Sequence, residues 1–136
     1  MTDINAAISA AASGMRAQTV RMRIAAENVA NANSSGTNPN EDPFRRRIPI
    51  LESTTLASGA RGVRVQGSAA DMSEFREEYN PSHPAADERG YVRRPNVDTL
   101  VEMMDMREAT RAYEANLNMI EAARTMTSRA LDLLRR

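Results

Sequence analysis

The sequence predicts a mainly α fold in which long N- and C-terminal helices pack as a coiled-coil-like pair, joined by an irregular middle with short β-strands. Apolar residues recur at alternating steps of four and three near both ends of the chain, as in the seam of a coiled coil. All six prolines fall between residues 39 and 95, which excludes long helices there. We therefore predict a terminal helical domain formed by residues 1–33 and 97–136, with a loop and short-strand segment over residues 34–96.

The first helix is predicted to begin at a cap formed by Thr2 or Asp3 and to end near Ala32, where Asn, Ser and Gly residues follow. Gly14 weakens this helix locally by roughly 1 kcal/mol relative to Ala. Only Gln18 interrupts its apolar stripe. The other positions of the stripe are Ile4, Ile8, Ala11, Met15, Met22, Ala25, Val29 and Ala32.

Short extended pieces are expected in the middle, because glycines and prolines punctuate it and the helical period disappears. The candidate strands cover residues 44–51, 62–66, 72–79 and 91–93. Gly59, Gly62 and Gly67 mark turns rather than a phosphate-binding loop, since no Gly-Lys-Ser/Thr sequence follows them.

The second helix is predicted to start near Asn96 or Asp98 and to run to residue 133 or beyond. Arg124 is the one charged interruption of its stripe. The other stripe positions are Met103, Met106, Thr110, Tyr113, Leu117, Ile120, Thr127, Leu131 and Leu134. Further Ala, Met and Leu residues widen this apolar face, so that more than one partner helix can be accommodated. We expect these faces to stay unsatisfied until neighbouring copies cover them.

Composition argues against several classes of partner. The chain carries 18 basic and 18 acidic residues, so no overall field attracts nucleic acid or an anionic membrane. No apolar run approaches the roughly 20 residues that span a bilayer, and the first twelve residues do not resemble a signal peptide. The absence of cysteine excludes a disulfide framework and a cysteine-ligated metal.

The strongest candidate for chemistry is His83, which lies near Asp87 and Glu88 in the sequence and suggests a small hydrolase or a metal site. A single histidine without cysteine is a poor ligand set, and Pro81 and Pro84 around it indicate a rigid bend. We therefore expect a loop or subunit contact at His83, and no enzymatic activity, cofactor, metal or small-molecule substrate. The Arg45 to Arg47 triplet is too small a basic patch for nucleic acid and favours a solvated turn or an intersubunit ion pair.

Three segments carry a resemblance to the flagellar axial family of rod and hook proteins, and this resemblance covers nearly the whole chain. They are AENVANANSSGT at residues 26–37, NPSHPAADERGYVRRPNVD at residues 80–98 and EMMDMREATRAYEANLNMI at residues 102–120. The second resembles the small subunits of the proximal rod. Its motif residues are Pro81, His83, Pro84, Gly90, Tyr91, Pro95 and Asn96.

The resemblance implies a structural subunit of the bacterial flagellar basal body, located in the periplasmic rod and exported by the flagellar type III apparatus without a cleaved signal peptide. Its implied partners are other copies of itself and other rod proteins, packed into a drive shaft that transmits torque. A neighbouring rod subunit or an assembly adaptor is the alternative. The expected assembly interface comprises Ile4, Ile8, Met15, Met22, Asn28, Val29, Asn31, Asn33, Met103, Met106, Tyr113, Asn116, Leu117, Ile120, Leu131 and Leu134.

Overall fold

Along the chain, two β-hairpins lie between one long helix at the N-terminal end and another at the C-terminal end. The computed structural model describes residues 2–136, with side chains from residue 3 onward, so Thr2 as a predicted cap lies outside the described side chains. The elements are α1 (Thr2–Ala30), β1 (Arg47–Thr55), β2 (Arg61–Ala70), β3 (Arg76–Tyr79), β4 (Tyr91–Arg94) and α2 (Thr99–Leu134). With 48% helix and 20% strand, the mainly α prediction holds only marginally.

The helix boundaries follow local chemistry. Asp98 is the N-cap of α2, and its Oδ1 accepts a hydrogen bond from the Leu100 backbone N–H at 3.0 Å, which confirms one of the two predicted starts. After Ala30 the chain turns, and the Asn31 side chain donates to the Glu27 carbonyl at 2.8 Å. The first helix therefore ends two residues before the predicted boundary, immediately ahead of the run of Asn and Ser.

The middle forms two separate antiparallel hairpins. β1 pairs with β2 from Arg47 opposite Ala70 to Thr55 opposite Arg61, with a register shift between Ile50 and Leu51. Gly59 closes this hairpin with a φ of +83°, a conformation that glycine adopts without strain. β3 pairs with β4 from Arg76 opposite Arg94 to Tyr79 opposite Tyr91. All four predicted strands are present, although β3 begins four residues later than expected and β1 three residues later.

The two helices run antiparallel along each other. Asn28 lies beside Glu102, Met22 beside Thr110 and Gly14 beside Asn116, so positions on α1 and α2 pair in opposite order. Alanines at the crossing, including Ala11, Ala25, Ala109 and Ala123, are buried, which lets the backbones approach closely. The two helices thus pack against each other within one chain.

The predicted coiled-coil seam of α2 is not confirmed, because the helix is rotated relative to it. Ile120 is buried, and Met106, Tyr113 and Thr127 are half-buried, whereas Met103, Leu117, Leu131 and Leu134 are exposed. The buried line instead contains Glu102, Ala109, Ile120 and Ala123. A polar residue, Glu102, therefore occupies the place that the apolar pattern assigned to Met103.

Helix α1 is buried on a second side that the heptad pattern did not predict. Ser13, Ala17, Ile24 and Asn28 are buried at helical spacing, and this line faces the β1–β2 hairpin. The Ser13 hydroxyl accepts a hydrogen bond from the Val63 backbone N–H at 3.1 Å. A Cβ atom on Gly62 would lie 2.6 Å from Ser13 Oγ, so glycine is needed where the strand crosses the helix.

Neither α1 nor α2, over the described residues, carries an apolar stretch long enough to traverse a bilayer.

Candidate assembly surfaces

A buried polar cluster ties the end of α1 to the start of α2 through the chain that precedes β1. We call Asn28, Arg46 and Glu102 the polar junction. The Asn28 amide donates to the Arg47 carbonyl at 2.9 Å and to Glu102 Oε2 at 3.1 Å, and its oxygen accepts from the Arg47 N–H at 2.9 Å. Asn28 is thus fully engaged in holding the backbone of β1 against both helices.

Arg46 supplies the charge that compensates buried Glu102. Its Nε donates to Glu102 Oε1, and its other nitrogens lie 3.2 Å from Asp105 Oδ2 and 3.6 Å from Asp71 Oδ2. The hydrogen bond that Arg46 donates to Glu102, supported by the nearby carboxylates, raises the pKa of Arg46 above its ordinary value. A buried carboxylate is stable only with such a partner, so Glu102 and Arg46 form one structural unit.

The second predicted motif contributes Asn96 to the same region. Its Oδ1 accepts from the Arg46 backbone N–H at 2.8 Å, and its Nδ2 donates to the Asp71 carbonyl at 2.9 Å and to Ser73 Oγ at 3.0 Å. The Ser73 backbone N–H, bonded to the Asp71 carboxylate, lowers the pKa of Asp71. Asn96 therefore joins three separate segments, and Pro95 beside it is fully buried.

Arginines of the β3–β4 hairpin fix the loop that follows α1. Arg76 donates to the Ala32 carbonyl at 3.2 Å, and Arg94 donates to the Asn33 carbonyl at 3.1 Å. Arg93 pairs with Asp42 at 2.7 Å. Asn33 thus contributes its backbone oxygen rather than its side chain, and Asn31 bonds within α1. Of the three asparagines predicted near the end of α1, only Asn28 uses its amide to bind a distant backbone.

His83 makes a loop contact. Its Nδ1 accepts from the Ala85 backbone N–H at 3.0 Å, and its Nε2 lies 3.1 Å from Ser35 Oγ. Asp87, named as its partner in the hydrolase hypothesis, instead accepts from the Arg89 and Tyr91 backbone N–H groups. No cluster of three potential metal ligands occurs among the described residues. Both ring nitrogens and the nearby carboxylate are thus engaged in local structure.

The β3–β4 turn contains the remaining motif residues. Gly90 has a φ of +86°, and a Cβ atom there would lie 2.9 Å from the Tyr79 ring and 3.1 Å from Pro81 Cβ. The Tyr79 and Tyr91 rings contact each other edge to face at 5.3 Å. Gly90 is required so that the turn can pass beneath Tyr79, and the motif serves to shape this hairpin.

The outward side of α2 carries an apolar stripe that no other described element covers. We call Ala115, Met119, Ala122, Met126 and Leu133 the outer α2 stripe; all five are exposed. They recur at steps of four, three, four and seven, so they lie along one side of the helix. Met119 and Met126 are 55% and 57% exposed, and Leu133 is 71% exposed. Such a continuous apolar face on a helix indicates a surface for another helix.

The predicted interface residues divide between the inside and the outside of the molecule. Asn28 is buried in the polar junction, and Ile120 is buried between the helices. Residues half-buried by the helix pairing or the turn that follows are Ile4, Ile8, Met15, Met22, Val29, Asn31, Met106, Tyr113 and Asn116. Asn33, Met103, Leu117, Leu131 and Leu134 remain exposed and available to other molecules. Glu102, Arg46 and the outer positions Ala115 and Ala122 were missed.

Three relatives of known name match this chain over nearly its full length. It is 43% identical over 136 residues to the flagellar basal-body rod protein FlgC of Agrobacterium fabrum, covering 99% of this chain and 98% of that protein. The FlgC protein of Aquifex aeolicus is 38% identical, with 97% and 98% covered. The FlgC protein of Bacillus subtilis is 35% identical, with 93% and 95% covered.

A family model agrees with these relatives. The model described as flagellar basal body rod FlgEFG protein C-terminal matches residues 88–133, which run from the β3–β4 turn through most of α2. The matched segment contains Asn96, Glu102 and the whole outer α2 stripe. The segment that the family model covers therefore includes Glu102 of the polar junction and the exposed apolar face.

Proposed function

The chain belongs to the FlgC family of flagellar basal-body rod proteins, as a structural subunit of the basal-body rod, and we propose that it occupies the proximal rod. In this proposal it packs beside other copies of itself and other rod proteins in the periplasm, and the resulting shaft transmits torque. It reaches this site through the flagellar type III export apparatus without a cleaved signal peptide.

The observation that supports packing is the outer α2 stripe. One face of α2 is already covered by α1, yet a second side, about 100° further around the helix axis, presents Met119, Met126 and Leu133 to solvent. Burial of apolar area is favourable by about 25 cal/mol per Å². Each further helix laid along the stripe therefore stabilises the assembled chain more than the free chain, which couples assembly to rigidity.

The same arrangement suits both export and torque. A chain without cysteine has no disulfide to oppose unfolding before passage through a narrow channel. After assembly, helices of 29 and 36 residues supply stiff elements that lie side by side. We propose that residues 1–33 and 97–136 form the helical core domain of the rod subunit and that residues 34–96 form a segment attached to its outside.

Met119→Asp tests this function. The substitution places a charge on the outer stripe without touching the α1–α2 contact, so we expect the chain to fold and be exported but the rod to remain incomplete. The matched control is Asn118→Asp, which adds the same charge at the neighbouring exposed position off the stripe. Swimming motility, the amount of exported chain and electron microscopy of purified basal bodies are the measurements. Normal motility of the Met119→Asp strain would contradict the proposal.

A further inference from the structure

The β1–β2 hairpin lies on α1 without burying any residue of its own. Each residue from 47 to 70 is exposed or half-buried, whereas Ser13 and Ala17 beneath the hairpin are both 2% exposed. A two-stranded hairpin is marginally stable by itself and depends on the surface against which it packs. The stability of this hairpin therefore depends on how firmly each part of it is attached to α1.

The part of the hairpin next to the polar junction is firmly attached. We call residues 47–50 and 66–70 the hairpin base. Buried Asn28 binds both backbone groups of Arg47, and the Arg47 guanidinium donates to Ser68 Oγ at 2.8 Å across the two strands. The base is thus tied to the end of α1 through a buried side chain, and its two strands are tied to each other.

The rest of the hairpin, over the described residues, is joined to α1 by two hydrogen bonds between polar groups. We call residues 51–65 the hairpin tip. Ser13 Oγ accepts from the Val63 backbone N–H at 3.1 Å, and Ser9 Oγ lies 2.6 Å from Ser58 Oγ. A groove of about 270 Å³ remains open beside these contacts, between α1 and both strands of the tip. Few buried apolar contacts and an open groove are features of a segment that opens locally.

The ladder between β1 and β2 changes register where the base and the tip meet. The pairs on either side of this point are Ile50–Gly67 and Leu51–Val65. Gln66 therefore has no partner in β1. An unpaired residue of this kind interrupts the ladder and bends the strand that carries it. The tip can thus change its angle relative to the base here while the pairing on both sides is kept.

We propose that the hairpin tip is a releasable strap over α1. It swings away about the register shift while the hairpin base and the α1–α2 pair stay in place. In the closed position it covers Ser13 and Ala17, and in the open position this side of α1 is accessible. Opening breaks the two serine contacts and the packing around them, whereas separating the helices also breaks the polar junction. This local opening is a property of the free chain and does not depend on the proposed rod function.

Thiol labelling of the purified full-length chain tests the strap, because the chain has no cysteine of its own. Ala17→Cys places a thiol beneath the tip, and Ala109→Cys places one between the helices, where Ala109 is 0% exposed. Because the strap opens more easily than the helix pair, we expect iodoacetamide to label Ala17→Cys at least about tenfold faster than Ala109→Cys. Urea should accelerate labelling of Ala17→Cys less steeply, since this slope increases with the surface that opening exposes.

Two further substitutions separate the two openings. Ser13→Ala removes the acceptor of the Val63 N–H and should raise the labelling rate of Ala17→Cys by roughly two- to tenfold. Ile120→Val, the matched control, weakens the helix pair, so it should raise the labelling rate of Ala109→Cys by roughly two- to tenfold and leave Ala17→Cys unchanged.

Equal labelling rates and urea slopes at the two positions would overturn the inference, and so would an equal effect of Ile120→Val on both. Hydrogen exchange of the parent chain makes the same comparison without any substitution. Amides of the hairpin tip should exchange faster than those of the hairpin base, and equal protection of the two parts would contradict the strap.

Discussion

The Asn28 amide nitrogen lies 3.1 Å from Oε2 of Glu102, and both side chains are almost completely buried, at 1% and 2% exposure. This pair joins the last turns of α1 to the first turn of α2, 74 positions away in sequence. Asn28 also bonds both backbone groups of Arg47, so β1 is held in the same cluster. We interpret the polar junction as the feature that fixes the relative register of the two helices.

Removing the Glu102 carboxylate should destabilise the chain more than neutralising it. In Glu102→Ala one donor of Asn28 and the Nε of Arg46 lose their partner inside the protein, and we expect about 2–3 kcal/mol less free energy of unfolding. Glu102→Gln retains an oxygen acceptor for either Asn28 or Arg46, so its free energy of unfolding should fall by only about 1 kcal/mol. Urea unfolding followed by circular dichroism at 222 nm measures both. Equal stability of Glu102→Ala and the parent chain would show that the junction does not hold the helices.

The sequence could predict the helices but not their facing sides. Apolar periodicity located α1 and α2, and the capping preference of Asp98 located the start of α2. The pattern assigned the seam to Met103 because that residue is apolar, whereas the structure buries Glu102. That burial depends on Arg46, 56 positions away, which a local pattern does not reveal. Non-local charge compensation thus explains the rotation of α2.

The positions of the strands could be predicted from local sequence as well, but their pairing and packing could not. Proline and glycine positions delimited four extended segments close to those observed. The packing of β2 on α1 depends on Ser13 and Gly62, whose contact joins distant parts of the chain. Ser13 lay outside the predicted stripe because serine is polar and the stripe was defined by apolar residues. Its hydroxyl accepts a hydrogen bond from the Val63 backbone N–H. Asn28, one of the predicted interface residues, bonds the backbone of Arg47 in its own chain.

Alanine at Gly90 should destabilise the β3–β4 hairpin. The new Cβ would meet the Tyr79 ring at 2.9 Å in a backbone conformation with φ of +86°. We expect a loss of about 1–3 kcal/mol in the free energy of unfolding. Gly67→Ala is the matched control, since a Cβ there has nothing within 4 Å and should leave stability nearly unchanged. Thermal unfolding of the two variants compares them; a Gly90→Ala chain as stable as Gly67→Ala would refute the steric argument.

The charge of Asp87 should stabilise the same hairpin in a pH-dependent way. The Tyr91 N–H, then the Arg89 N–H, donate to this carboxylate and lower its pKa from the ordinary value. Because the folded pKa lies below the unfolded one, the stabilisation is present above about pH 4 and is lost as the pH falls through the folded pKa. Asp87→Asn, which keeps an oxygen acceptor, should therefore be less stable than the parent chain at pH 7 and equally stable in acid.

Urea titrations of both proteins between pH 7 and pH 2 measure this difference. Asp132→Asn is the control, because Asp132 is exposed and forms no ion pair with another described residue. The free energy of unfolding of Asp132→Asn should differ little from that of the parent chain between pH 7 and pH 2. A constant difference for Asp87→Asn across the range would mean that the lost charge is not the cause.

Gly14 and Asn116 should behave as a coupled pair at the helix crossing. A Cβ on Gly14 would lie 2.6 Å from the Asn116 amide nitrogen. Gly14→Ala must therefore either displace the Asn116 side chain or increase the distance between the two helices. Alanine alone favours the helix by roughly 1 kcal/mol over glycine, and the clash opposes that gain. In the Asn116→Ala background the clash is absent, so there we expect Gly14→Ala to stabilise the chain. A double-mutant cycle from urea unfolding measures the coupling, and additive effects of the two substitutions would show that the helices do not meet at this point.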